Sequence, residues 1–166
     1  MTKIKKITLL GLLSALAMVL SYVEMLLPPI VTSIPGIKVG LPNIITVFLL
    51  YKFSFKDAFL VSLVRILMVS LLFGNIFTLS YSLAGGILSI LLMYLLKKTN
   101  LFSSIGVSIA GGVAHNIGQI CVAIFVTNTL QIGYYMIPLF ISGTIAGAVI
   151  GIFGALTLRY TKKFNW

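Results

Sequence analysis

The sequence predicts an all-α membrane protein of six transmembrane helices with both termini on the cytoplasmic side. Three observations carry that expectation. The 166 residues are 60% hydrophobic and 8% charged, with a mean hydropathy of +1.17. A soluble fold of this size would leave far too much of that apolar surface facing water. Twelve Lys and Arg stand against only two acidic residues, Glu24 and Asp57. Ten of the twelve fall in four clusters, Lys3/Lys5/Lys6, Lys52/Lys56, Lys97/Lys98 and Arg159/Lys162/Lys163, and these clusters separate pairs of long apolar stretches.

A hydrocarbon core of ~30 Å needs about 20 apolar residues as a helix. The first stretch, 7–27, follows a basic start and contains Ala15-Leu16-Ala17, the pattern of a cleavable signal. The apolar run before Ala15 is short for a signal core, and hydrophobicity continues to Leu27, so an uncleaved first span is expected. The second, 41–53, is short. Its approach runs through Pro28-Pro29, Pro35-Gly36 and Pro42, and proline disfavours helix both at itself and in the residue before it. An ordered external loop that dips back into the protein is expected there. The remaining spans are 58–73, 77–96, 105–127 and 134–158. With the N-terminus inside, all four basic clusters become cytoplasmic. Lys38 is then the sole Lys or Arg in the outer connections, and Arg65 lies within the third span. The whole chain, 1–166, reads as a single integral domain of the bacterial cytoplasmic membrane.

Small residues mark the expected helix contacts. Gly143, Gly147 and Gly151 recur every four residues in the sixth span, Gly106, Ala110 and Gly111 in the fifth, and Ala84-Gly85-Gly86 in the fourth. Lipid offers no hydrophobic drive for association, so close backbone approach must supply the packing. In the first span Gly11, Ser14, Ala15 and Met18 fall at i, i+3, i+4 and i+7. That stripe suits another helix, in this chain or in a partner.

Ionisable and amide groups within the spans are the candidates for chemistry, because they are costly there. Arg65 lies roughly 12 Å from the cytoplasmic end of its span at 1.5 Å per residue. It is either a structural cation bonded to helix-end carbonyls or to Glu24, or the receiver of an anionic or carbonyl-rich substrate. His115 and Gln119 share a helix face at i, i+4, with Asn116 beside them and Gly111, Gly112 and Gly118 leaving room. They are either interhelical hydrogen bonds or the lining of a cavity. At the outer rim, Lys38 and Asn43 flank the start of the second span, and Tyr81 and Tyr134 stand near those of the fourth and sixth. Tyrosine there also suits the aromatic belt of a membrane interface.

Several function classes are excluded or disfavoured. The bases flank spans rather than forming a stripe, so they read as anchors beside anionic lipid and no nucleic-acid partner is expected. One histidine and one cysteine, Cys121, give no ligand spacing for a metal and no disulfide framework. Prenyl chain elongation needs magnesium held by clustered carboxylate or phosphate oxygens, and this chain has a single Asp. It also lacks the Gly-Lys-Ser/Thr loop that cradles nucleotide phosphates. No cofactor and no catalytic residue are expected.

The stretches Pro35-Gly36-Ile37-Lys38-Val39-Gly40-Leu41-Pro42-Asn43-Ile44, Leu83-Ala84-Gly85-Gly86 and Ala114-His115-Asn116-Ile117-Gly118-Gln119 resemble the Gx transporter family. Its members are often labelled heptaprenyl diphosphate synthase component I. The family is similar to the substrate-binding S components of energy-coupling-factor (ECF) vitamin transporters. The resemblance implies an S-component-like bundle that binds a micronutrient from outside and topples against a transmembrane coupling subunit driven by two ATPases. S components commonly dock through alanines four apart on the first helix; here Gly11 with Ala15, or Ala17 with Ser21, is the nearest match.

The expected function is therefore a membrane-embedded substrate-binding subunit for uptake of a small micronutrient or an isoprenoid-, quinone- or flavin-related precursor. Its expected binding residues are Lys38, Asn43, Arg65, Tyr81, His115, Asn116, Gln119 and Tyr134, and its partner face Gly11, Ser14, Ala15 and Met18. The alternative is a non-catalytic accessory subunit of polyprenyl diphosphate or quinone synthesis, or of flavin-linked electron transfer.

Overall fold

A computed structural model describes residues 2–27 and 39–163. Among these residues the chain is all helical: α1 (Lys3–Leu26), α2 (Asn43–Lys52), α3 (Phe55–Phe73), α4 (Ile76–Thr99), α5 (Ser104–Thr127) and α6 (Met136–Thr161). A 3-10 segment, Leu130–Tyr135, leads into α6. Each apolar stretch read from the sequence corresponds to one helix. The ends differ by a few residues because polar caps, not hydropathy, set them. Ser54 accepts the Asp57 N–H at 3.2 Å, Asn75 the Thr78 N–H at 2.9 Å and Ser103 the Gly106 N–H at 3.2 Å. Asn100 and Asn128 end α4 and α5 in the left-handed region, at φ 56° and 49°, where asparagine is tolerated.

Four stretches are long and apolar enough to cross a bilayer: Lys3–Leu26, Ile76–Thr99, Ser104–Thr127 and Leu130–Thr161. The protein is an all-α membrane protein. The other two helices differ in kind. α3 has 19 residues and carries Lys56, Asp57 and Arg65. α2 has 10 residues, which is ~15 Å of helix against a hydrocarbon core of ~30 Å. It is also the most enclosed element, with residues 45–50 all buried among α3, α6 and their neighbours. α1 is the opposite case. It packs chiefly on α3, buries only Ala17 and Ser21, and turns Ile7, Leu12 and Val19 outward.

The connections between α2 and α3 and between α3 and α4 are two residues each, so consecutive helices run back along one another. The basic clusters are thereby gathered at one end. Lys6 Nζ pairs with Asp57 Oδ2 at 2.8 Å, Lys52 Nζ donates to the Thr161 carbonyl at 3.2 Å, and Lys97 Nζ donates to the Leu50 carbonyl. Here lysines close carbonyls that the last turns of α2 and α6 leave open. At the opposite end, Glu24 of α1 accepts the N–H of Gly40, whose φ of +79° favours glycine.

Glycine seams join α4, α5 and α6. A Cβ on Gly147 would lie 2.6 Å from Ile109 Cα and 2.8 Å from the Ser108 carbonyl. One on Gly118 would lie 2.8 Å from the Ala84 carbonyl, and one on Gly112 would strike the Gly143 carbonyl. These are backbone atoms, which cannot step aside. The fourth- and sixth-span stripes seen in the sequence take part in these seams. In the fifth span Gly106 meets only Phe102 and Ser103, and Gly111 the Met93 and Ser89 side chains, the seam falling instead on Gly112 and Gly118. Gly11 of the α1 stripe differs, with nothing within 4 Å of its would-be Cβ.

Two predictions follow from this packing. Gly147→Ala should lower the thermal stability of the purified protein by about 1–3 kcal/mol, the usual cost of forcing atoms into a filled interface. Gly11→Ala should leave it unchanged, and equal melting shifts for the two would refute the seam. The second concerns Asp57, which precedes the apolar run 58–73. Burial alone would raise its pKa, but bonds from the Lys6 ammonium and the Ser54 hydroxyl outweigh that and hold the carboxyl below the usual carboxylate range. A depressed folded pKa contributes stability above the unfolded value and loses it as pH falls through the folded one. Asp57→Asn should therefore cost about 1 kcal/mol or less near neutral pH, as for other half-exposed pairs. The gap between the two proteins should close in acid.

Candidate functional site

The helices enclose a cavity of about 120 Å³. It lies where the glycine seams end. α4, α5 and α6 are drawn together backbone to backbone, whereas α3 meets α4 through a larger side chain, Ile66 against Gly86, and the space left is lined by polar groups set among apolar ones. α5 contributes a continuous stripe at helical spacing: Ser108, Gly111, His115 and Gln119 all line the wall. Ser82 and Ser89, two turns apart on α4, line another side, and Ser70 of α3 a third.

Arg65 projects into this cavity from the middle of α3. Its Nη1 is 3.4 Å from Ser21 Oγ, a long hydrogen bond. Ser21 Oγ itself donates to the Ala17 carbonyl at 2.9 Å, so it receives the arginine with a lone pair. Arg65 Nε is buried and has no hydrogen-bond partner. Of the two structural roles open to this arginine, neither is formed among the described residues. No carbonyl accepts from it, and the ion pair Lys6–Asp57 is the one found among the described residues. Glu24 lines the same cavity and takes the Gly40 N–H, but lies beyond ion-pair distance of Arg65.

The amides divide their work. Asn116 Nδ2 donates to the Leu139 carbonyl at 2.6 Å and lies 3.5 Å from Ser142 Oγ, tying α5 to α6. With its NH2 so engaged, its carbonyl oxygen is the group left to face the cavity. Gln119 lies one turn along on the same wall. His115 lines the wall with its ring against Gly85, where a Cβ would meet it at 3.0 Å. Asn43 lines the wall at the start of α2 beside Gly40.

Of the eight binding residues expected from the sequence, five therefore share one cavity: Asn43, Arg65, His115, Asn116 and Gln119. Lys38 lies outside the described residues. Tyr81 is half-buried on α4 but is not part of the wall, and Tyr134 is exposed in the 3-10 segment, also away from it. The sequence reading missed the serine lining. Its signal was present, since Ser82/Ser89 on α4 and Ser108/His115 on α5 both repeat at two helical turns. The expected partner stripe is split: Gly11 and Ala15 are exposed, Ser14 and Met18 half-buried.

Residues 13–157 match the family described as "Heptaprenyl diphosphate synthase component I". The chain belongs to that family. The match agrees with the resemblance drawn from the motifs, and it spans every residue on the cavity wall, from Ser21 to Ile150. No curated protein and no solved structure matches this component I chain. Nor does the wall look like a magnesium site: among its residues Glu24 is the one carboxylate, whereas Mg²⁺ demands several hard oxygen ligands.

Proposed function

We propose that the protein is a non-catalytic, membrane-embedded binding subunit that captures a small polar molecule in this cavity for uptake. The observation that carries the reading is Arg65, a guanidinium whose Nε is buried without a partner on the wall of a cavity. A buried donor left unsatisfied costs about 1–3 kcal/mol, and more on a charged group, and none of the described residues satisfies this one. A ligand would.

In this reading the chain is one domain of six spans with both termini cytoplasmic. The gathering of all four basic clusters at one end supports that orientation. The cavity then opens outward, near Glu24 and Gly40, and the bundle acts as an S-component-like subunit. It has no nucleotide-binding loop, so transport requires a separate transmembrane coupling subunit and ATPases. Their docking face is taken to be the outward stripe of α1 with Gly11 and Ala15. The family's description favours a second reading, a membrane accessory subunit of polyprenyl diphosphate synthesis. Against a direct role in holding that substrate stands size. A cavity of about 120 Å³ is below the ~300–1,000 Å³ of drug-sized sites, and a heptaprenyl chain is larger still.

A mild-detergent pull-down of the tagged protein from its own membranes separates the two. Recovery of a coupling subunit with ATPases is expected; recovery of a soluble prenyl synthase without them would establish the second reading. Native mass spectrometry of the same material should show a bound small molecule that Arg65→Ala and His115→Ala lose while remaining folded. Bare wild-type protein, with no small-molecule adduct from any membrane preparation, would refute the binding reading.

A further inference from the structure

We propose that the ligand is a compact zwitterion, with its oxyanion on Arg65 and its cationic group on Glu24. This deepens the binding reading above and rests on it.

Arg65 offers the first half. With Nε unpartnered and Nη1 only loosely held by Ser21, the side of the guanidinium that carries Nε presents a two-donor fork. That geometry matches a carboxylate, which it can hold through two parallel bonds. Glu24 offers the second half. It sits in the last turn of α1, where no basic residue is present and the open carbonyls of the helix end repel a carboxylate. One oxygen accepts the Gly40 N–H, and among the described residues no cation lies within 4 Å of either. The two charges attract each other across the cavity but do not touch, so each keeps an open position for a ligand.

Their proximity limits the ligand's size. Ser21, which touches Arg65, and Glu24 are three residues apart on α1 and share a face. That separation is ~4.5 Å along the helix axis, so one small molecule can reach both charged groups. Charge balance sets its class. Among the described residues of the wall, the formal charges of Arg65 and Glu24 sum to zero. A zwitterion pairs both and leaves the sum unchanged. A monoanion would pair Arg65 but leave Glu24 and an excess negative charge in a poorly solvated interior, and a monocation would do the reverse. The sequence-based expectation of an anionic or carbonyl-rich ligand omitted Glu24 from the site.

The test uses three four-carbon probes of matched shape, γ-aminobutyrate, butyrate and n-butylamine, titrated against the purified full chain in nanodiscs with melting temperature and calorimetry as readouts. Only γ-aminobutyrate should raise the melting temperature. Glu24→Gln should weaken it by about thirtyfold or more and should gain butyrate binding, because its wall then carries net positive charge. Arg65→Gln should lose γ-aminobutyrate altogether. Arg65→Lys, which keeps the charge but removes the fork, should retain the preference at lower affinity and guards against a folding defect in the first variant. Equal binding of butyrate and γ-aminobutyrate by the wild type would overturn the proposal. Silence from all three probes would also overturn it, while the mass-spectrometric search for a bound small molecule decides the broader binding reading separately.

Discussion

In a bilayer, apolar side chains gain nothing by leaving lipid for one another, so a helical bundle must find its cohesion elsewhere. This protein finds it in the direct apposition of backbones along α5. Gly112 and Gly118 of α5, with Gly143, Gly147 and Gly151 of α6 and Gly85 of α4, bring three helices so close that a single added carbon would meet main-chain atoms. The rest of the architecture is arranged around that rigid block. α2, too short to span, survives because it is enclosed by the block on one side and α3 on the other. Its open carbonyls are closed by Lys97, and its Thr46 hydroxyl by Ser62 at 2.8 Å.

Close packing on one side creates space on another. Helices held at glycine distance cannot also fill the gap toward α3, so the cavity is a consequence of the seams. The seam residues and the wall residues alternate on the same faces: Gly111 and Gly112 lie between Ser108 and His115. A polar lining is tolerable there because each group has either a partner or the cavity. Asn116 bonds α6 through its NH2, and Ser21 bonds its own helix. Arg65 is the exception, and the exception falls where the cavity is.

Much of this was legible in the sequence, and the reasons are physical. Hydropathy and the positions of Lys and Arg depend on the membrane alone, so they mark helices without reference to packing. The glycine spacing of four residues reflects helix geometry, so the seams were visible too. Membership of the wall was harder. His115 and Gln119 stood out because such side chains are rare in apolar spans. Ser82, Ser89 and Ser108 did not, because serine in a helix commonly bonds its own carbonyls, as Ser14 does to Leu10 at 2.9 Å. Tyr81 and Tyr134 were read by type and location, and the rotation of each helix about its axis, which sets whether they face inward, is fixed by tertiary packing. The same limit applies to Glu24. From the sequence it was one possible partner of Arg65; only the Arg65–Ser21 contact shows that its neighbour one turn away already touches the buried cation.

That contact gives α1 a distinct position in the molecule. It is the least buried helix, held by Lys6–Asp57 at the basic end, Ser21–Arg65 in the middle and Glu24–Gly40 at the other. Two of those three attachments lie on the cavity wall. Under the proposed function, a ligand that pairs Arg65 and Glu24 therefore acts directly on the links that seat α1. The opposite face of the same helix, with Gly11 and Ala15, is the one offered to a partner. Thermodynamic linkage makes any such coupling reciprocal: a partner that shifts α1 must change ligand affinity by the same factor that the ligand changes partner affinity. The bundle α4–α5–α6 is too tightly interlocked to take part in that exchange. A peripheral helix with few buried residues and polar, breakable attachments is the element that can.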